Sequence, residues 1–157
     1  GPITLTLDVP DKKLYYFQYD DGGRGMNTDF SGELPTALIL EPDKPHGHGG
    51  QIRRQYFYVP AGTTEIRGFV KSTGLPKVGF FFPDGTLAQE VLCEEGTKFN
   101  VPVPAGMDGG LWSVFGEGFT FGDFWFDNIP NILSTSPNIV LVPRELALKD
   151  GLTLLSE

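Results

Sequence analysis

Cysteine and histidine are scarce in this chain of 157 residues. Its one cysteine, Cys93, cannot form an intrachain disulfide, and its two histidines, His46 and His48, lie together in a glycine-rich stretch. Histidine-assisted nucleophilic catalysis needs an imidazole beside the nucleophile, and no G-x-S-x-G motif is present. The apolar and acidic neighbours of Cys93 disfavour a thiolate, so we expect a buried, unreactive thiol. The sequence therefore contains no recognisable catalytic constellation.

Positive charge is also scarce. Lys and Arg number 12 against 20 Asp and Glu, which gives a formal net charge of −8. A nucleic-acid-binding surface needs clustered basic residues, so we expect no nucleic-acid partner. No apolar run approaches the ~18 residues of a membrane-spanning helix, and we expect no membrane span. Gly1 and Pro2 resemble the remnant of a cleaved purification tag, which predicts that the native protein continues into covalently linked neighbouring domains.

Glycine and proline, by contrast, are abundant. The chain has 21 Gly and 13 Pro, placed at intervals between short apolar runs, which is typical of an all-β domain. The predicted strands are residues 3–8, 13–19, 36–41, 54–59, 65–72, 77–82, 86–93, 97–103, 111–116, 119–126 and 138–142. We expect a two-sheet antiparallel β-sandwich of jelly-roll type with little helix. Residues 3–143 would form this single domain, and residues 144–157 a C-terminal tail or linker.

Helix signals are confined to two short segments. The run NILSTS at residues 131–136 predicts a single helical turn, and RELALKDG predicts a short C-terminal helix that ends at Gly151. The tripeptide PDG at residues 83–85 has the proline and glycine placement of a tight turn, and so predicts a hairpin.

The tetrapeptide VPAG occurs twice, at residues 59–62 and 103–106. Proline fixes φ near −65°, and glycine adopts the positive φ that a type II turn requires. Both copies are therefore predicted to be corners between strands rather than working loops. After the first copy, alternation turns Ile66 and Val70 to one face and Arg67, Phe69 and Lys71 to the other.

The succession QYFYVPAGTTEIRGFVKSTG, PDG and VPVPAGMDGGLWSVF resembles bacterial pre-peptidase C-terminal domains and related galactose-binding-like modules. The resemblance covers about residues 55–126. It implies a jelly-roll β-sandwich that is appended to secreted hydrolases and commonly binds carbohydrate or serves as a spacer. It also implies that Trp112 is buried. The segment at residues 127–145 has no counterpart in that pattern.

Aromatic side chains supply the candidate ligand-binding residues. A sugar site needs exposed aromatic platforms beside groups that bind hydroxyls. Alternation places Arg54, Tyr56 and Tyr58 on one face of a strand, where the aromatic rings alternatively only fill the sheet. The candidate set is Arg53, Arg54, Tyr56, Tyr58, His46, His48, Tyr19 and Trp125. The positive charge gathered in this set suits an acidic glycan.

Acidic side chains supply a candidate metal site. Asp20, Asp21, Asn27 and Asp29 offer the oxygen ligands that calcium prefers, although a solvated acidic turn has the same composition. The sequence requires no cofactor, and it makes structural calcium possible. His46 and His48 could bind zinc or nickel only if carboxylates joined them, so a solvated loop is favoured there. Asp123 lies among aromatic residues, and a bulge at Gly122 would turn its carboxylate outward.

The sequence thus favours a non-catalytic module that binds polysaccharide or oligosaccharide and belongs to a larger secreted bacterial protein, extracellular or periplasmic. A structural spacer or protein-assembly domain without a small ligand is the alternative. A small enzyme that acts on polysaccharide is the second alternative. Exposed aromatic residues on a polar face would favour carbohydrate binding. An apolar patch or an unpaired edge strand would favour the structural spacer or assembly domain.

Overall fold

Strands dominate the structure, a computed structural model that describes residues 15–16, 36–42, 54–72, 77–93, 96–116 and 121–153. Over these ranges the strands are β1 (Ala37–Ile39), β2 (Gln55–Val59), β3 (Glu65–Ser72), β4 (Lys77–Phe81), β5 (Leu87–Leu92), β6 (Thr97–Pro102), β7 (Gly110–Phe115), β8 (Phe121–Phe126) and β9 (Ile132–Ser134). One helix, α1 (Arg144–Lys149), follows them. No helix in these ranges is long and apolar enough to cross a membrane.

The strands form two sheets. One has six strands in the order β1-β9-β2-β7-β4-β5, and the other has three in the order β6-β3-β8. The strand pairs are antiparallel throughout. Their buried faces pack together in one hydrophobic core. This arrangement confirms the predicted all-β sandwich, whereas the jelly-roll order stays a prediction.

Aromatic rings from both sheets meet among the aliphatic residues of the core, because alternation turns Phe residues of both sheets inward. Phe57 of β2 lies 4.8 Å from Phe126 of β8 between ring centroids, and Phe80 of β4 lies 5.0 Å from Phe99 of β6. Trp112 is fully buried, as the resemblance implied, and its indole N–H donates to the Met107 carbonyl at 2.7 Å. That bond satisfies the one polar atom that the indole brings into the core.

A glycine permits the closest approach in the smaller sheet. A Cβ added to Gly68 of β3 would lie 2.6 Å from Phe99 Cζ and would also strike the Trp125 carbonyl oxygen. Hydrogen in place of a side chain thus lets the Phe99 ring lie over the central strand.

The predicted turns are confirmed. Gly62 and Gly106 have φ of 84° and 83°, and in both copies of VPAG the residue after glycine donates its N–H to the proline carbonyl, at 3.2 and 3.0 Å. Proline is therefore the first residue of each turn and glycine the third, where a type II turn needs positive φ. The PDG hairpin joins β4 to β5, with the Gly85 N–H bonded to the Phe82 carbonyl at 2.9 Å.

Two local predictions near the C-terminus were wrong. Residues 132–134 form β9 rather than a helical turn, because Leu133 is buried in the core and the strand pairs with both β1 and β2. Residues 138–142 form no strand; they follow β9, and the Ile139 carbonyl accepts a bond from Ser134 Oγ at 2.7 Å. The predicted C-terminal helix is confirmed as α1, and Gly151, with φ of 68°, follows its end.

Two strand predictions, at residues 3–8 and 13–19, lie outside the described residues apart from Tyr15 and Tyr16. These two side chains are exposed and belong to no strand.

Candidate functional site

The three-stranded sheet presents one face away from the core, here called the small-sheet face. Register places Phe69 of β3 between Lys98 of β6 and Trp125 of β8. The neighbouring outward positions are all polar except one: Glu65, Arg67, Lys71, Asn100, Pro102 and Asp123. An aromatic pair therefore lies in the middle of a hydrophilic face.

Phe69 and Trp125 are stacked. Their ring centroids are 4.5 Å apart and their planes differ by 20°, and both side chains are half-buried. Gly96 lies against the Phe69 ring, since a Cβ added there would approach Phe69 Cζ to 2.7 Å. Phe69 is thus held between Gly96 and the indole. A ring fixed in this way orders its neighbour before any ligand arrives, which lowers the entropic cost of binding.

Polar groups around the pair are held by hydrogen bonds. The Trp125 indole N–H donates to Asp127 Oδ1 at 3.2 Å, and the Asp127 backbone N–H donates to the Arg67 carbonyl at 2.8 Å. Glu65 pairs with Arg67 Nε at 3.3 Å and accepts from Asn100 Nδ2 at 2.7 Å. These bonds fix a row of charged and amide groups along one side of the stacked rings.

Asp123 lies on the same face, opposite Lys71 in the register. The register then shifts, so that Ser72 pairs with Phe121 and Gly122 is the extra residue of a β-bulge. The predicted bulge at Gly122 is confirmed. It keeps Trp125 opposite Phe69 while the strand changes register beyond it.

The six-stranded sheet presents the other outward face, here called the large-sheet face. Arg54 lies there with its guanidinium carbon 4.1 Å from the Phe81 ring centroid and 5.3 Å from that of Phe115. Its Nη1 donates to Ser113 Oγ at 2.8 Å. Tyr56 pairs with Ser113 across the sheet and is half-buried.

Tyr58 has a structural partner on the large-sheet face. Its ring is buried, and its hydroxyl donates to Asp150 Oδ2 at 2.9 Å. The same carboxylate oxygen accepts the Ala61 N–H at 2.9 Å. Burial, followed by the bond to Asp150 and by the negative charges of Asp150 and Asp108, raises the pKa of Tyr58 to about 12. The tyrosine therefore anchors the end of α1 to the sandwich.

The structure separates the predicted ligand-binding residues. Arg54, Tyr56 and Tyr58 lie on the large-sheet face, and Trp125 lies on the small-sheet face on the other side of the core. Four further members of the set, Arg53, His46, His48 and Tyr19, fall outside the described residues. So do the predicted calcium ligands Asp20, Asp21, Asn27 and Asp29.

The sequence analysis left Phe69 and Asp127 out of the candidate site. Phe69 was detectable, because alternation already placed it outward between Arg67 and Lys71. Asp127 carried no local signal, since it follows the last residue of β8 and its role depends on the Trp125 indole. Cys93 is buried, as predicted. Within the described ranges, no three His, Cys, Asp or Glu residues lie close enough together to hold a metal ion.

Comparison of the chain with protein-family models, with curated proteins and with solved structures finds no match.

Proposed function

We propose that this chain is a non-catalytic carbohydrate-binding module, and that the sugar stacks on Trp125. The supporting observation is the stacked Phe69–Trp125 pair on a solvent-facing, polar sheet face. A pyranose ring has an apolar C–H face bordered by hydroxyls, so it matches a flat indole with hydrogen-bonding groups beside it.

The surroundings of the pair support the same function. Asp127, Asn100 and Arg67 provide acceptors and donors within one or two residues of the rings. Phe69 and Gly96 hold the indole from behind, so the platform is ordered in the unliganded protein. The large-sheet face offers less, because Tyr58 is already bound to Asp150 there.

The proposal for the wider setting of the module rests on the resemblance of residues 55–126 to pre-peptidase C-terminal domains. We propose that it belongs to a larger secreted bacterial protein, outside the cytoplasm, where it holds a neighbouring domain close to a polysaccharide. Linking a binding module to another domain raises the effective concentration of that domain at the ligand.

The test is binding to a panel of soluble neutral, amino and acidic oligosaccharides, with and without calcium, followed by calorimetry and Trp fluorescence. We expect Trp125→Ala to lose about fivefold or more in affinity, by analogy with the contribution, on the order of 1–3 kcal/mol, that an aromatic side chain makes when a nucleobase stacks on it. Trp125→Phe should recover part of it. Leu148→Ala, which removes an exposed apolar side chain from α1, is the matched control and should bind normally.

Two results would contradict the proposal. One is the absence of binding to every sugar in the panel. The other is equal affinity of the parent chain and of Trp125→Ala for the same sugar, provided that both have the same thermal midpoint.

A second function, protein assembly, is favoured by one observation. β5 is the last of the described strands in the order of the six-stranded sheet, and it exposes Leu87 and Leu92 to 51% and 68%. An edge strand with exposed leucines can pair with another chain. Light scattering at several concentrations tests this, with Leu92→Lys expected to abolish any dimer. A monomeric mass at all concentrations would rule out assembly between copies of this chain through β5.

A further inference from the structure

One ring face of Trp125 is already occupied. Phe69 on the central strand β3 covers the indole face that is turned toward it. Among the described strands of the three-stranded sheet, β8 is at the edge and β3 is its neighbour. The opposite face of the indole is therefore directed past the sheet edge, and a ligand that stacks there lies alongside β8 rather than over β3.

The charges along β8 are negative. Asp123 lies two residues before Trp125 and Asp127 two residues after it, and the Asp127 side chain is drawn to the indole by the N–H···Oδ1 bond. With a rise of ~3.3 Å per strand residue, each carboxyl-bearing residue lies about 7 Å along the strand from Trp125. That spacing places a carboxylate beside each end of a stacked sugar ring.

The positive charges lie further from this ring face. Arg67 and Lys71 are on β3, where Arg67 is paired with Glu65 and Lys71 lies opposite Asp123. Lys98 is on β6, two strands from β8 and so roughly 10 Å across the sheet, behind Phe69. Among the groups that the structure describes, a ligand over the outer ring face of Trp125 meets carboxylates before it meets ammonium or guanidinium groups.

Asp127 is the group best placed to contact a ligand. Its Oδ1 accepts the indole N–H at 3.2 Å, and within the described part of the chain its Oδ2 makes no hydrogen bond. The residue is exposed. The bond from the indole N–H orients the Asp127 carboxylate at the edge of the Trp125 ring. Asp127 Oδ2 can then accept a hydrogen bond from an ammonium group of a sugar that stacks on the indole.

We propose that this site selects a sugar with a free ammonium group, a 2-amino-2-deoxyhexose, and rejects uronic-acid and sulfated glycans. The inference rests on the proposed function. An ammonium over or beside an indole face gains from the ring quadrupole as well as from the carboxylate. The net charge of −8 adds a long-range repulsion of polyanions. The expectation of an acidic glycan came from Arg53, Arg54 and the histidines, none of which lies on this face among the described residues.

The experiment uses three oligosaccharides of equal length on the whole chain: a glucosamine oligomer, its N-acetylated form and a glucuronic acid oligomer. We expect the free amine to bind about tenfold more tightly than the acetylated form, from one exposed cation–π contact and one exposed ion pair together. The uronic acid oligomer should bind too weakly to measure. Raising the salt from 0.1 to 1 M, which shortens the Debye length from ~10 to ~3 Å, should screen the ion pair and so reduce the preference for the amine to about two- to fivefold.

Asp127→Asn separates charge from structure, because the amide oxygen can still accept the indole N–H. We expect this variant to keep only the part of the preference that comes from the cation–π contact, about two- to fivefold for the amine over the acetylated oligomer, while it keeps its affinity for the acetylated one. Glu90→Gln, which removes one negative charge from the large-sheet face, is the matched control and should keep the tenfold preference.

Equal binding of the amine and acetylated forms, tighter binding of the uronic acid oligomer, or an unchanged preference in Asp127→Asn would each overturn the selectivity for amino sugars. The carbohydrate-binding function would survive any of these three results. Failure of all three oligomers, together with no binding across the wider panel, would overturn both proposals.

Discussion

Alkaline pH should detach the C-terminal helix from the sandwich through Tyr58. The pKa of this tyrosine is about 12 in the folded protein against an ordinary 10.0, so its neutral form stabilises the fold fully below pH 10. That contribution is lost as the pH rises through 12. A difference of this size corresponds to about 2.7 kcal/mol, at ~1.36 kcal/mol for each pH unit. Burial of the ring is the largest cause of this shift, and the bond to Asp150 and the negative charges of Asp150 and Asp108 add to it.

The assay is urea unfolding of the parent chain and of Tyr58→Phe, followed by tryptophan fluorescence at several pH values between 8.5 and 11.5. The two proteins differ only at residue 58, so the difference between their free energies of unfolding isolates Tyr58. We expect the parent chain to be more stable by about 1–3 kcal/mol at pH 8.5, with the advantage shrinking steadily above pH 10. A difference that stays constant across this range would refute the contact between Tyr58 and Asp150 as the source of the stability.

Three other perturbations test the core and the turns. Gly68→Ala should cost about 3 kcal/mol, roughly the upper end for overpacking, because the new Cβ would strike the Trp125 backbone carbonyl oxygen as well as Phe99 Cζ 2.6 Å away, and the carbonyl moves only with the backbone of β8. Chemical denaturation measures the loss, and a loss below about 1 kcal/mol would contradict the packing. A hydrogen bond from the Gly62 N–H lowers the pKa of Asp108 below 3.8, so the Asp108 carboxylate stabilises the fold above that pH and ceases to do so as the pH falls below it. The difference in stability between the parent chain and Asp108→Asn should vanish as acid is added, and a constant difference would exclude a stabilising role of the charged carboxylate. Cys93 should react with a thiol reagent only in denaturant, and rapid modification of the native protein would show that the thiol is accessible.

Most of the strands were predictable because their signals are local: Gly and Pro residues mark the turns between strands, and side chains alternate between the two faces of each strand. The segment at 65–72 was predicted with the bounds that β3 has, and the glycines of both VPAG turns adopt the positive φ that their placement implied. Local sequence failed where long-range pairing decides the conformation. β9 has only three residues, and it is a strand because Leu133 fills the core and because the Asn131 side chain bonds both the N–H and the carbonyl of Phe126.

The candidate site was only partly predictable for a similar reason. Trp125 was chosen by residue type and Phe69 was visible by alternation, but their contact depends on the register between β3 and β8. That register in turn depends on the β-bulge at Gly122, and a glycine in the sequence does not by itself show which residues of β3 and β8 pair. The grouping of Trp125 with Arg54 came from residue type alone, and type does not reveal which sheet a strand joins.

The first VPAG turn has a kinetic consequence. Ala61 and Gly62 are exposed residues, and amides in exposed turns ordinarily exchange with solvent within a short time. Here their protons are bonded to Asp150 and Asp108, which lie 89 and 46 residues further along the chain. Closing the longer of these loops costs only about 0.6 kcal/mol more than closing the shorter, so neither bond is entropically prohibitive. The exchange rate of the Ala61 amide therefore reports on the docking of the C-terminal helix, through Asp150. The exchange rate of the Gly62 amide reports on the contact between the two VPAG turns, through Asp108.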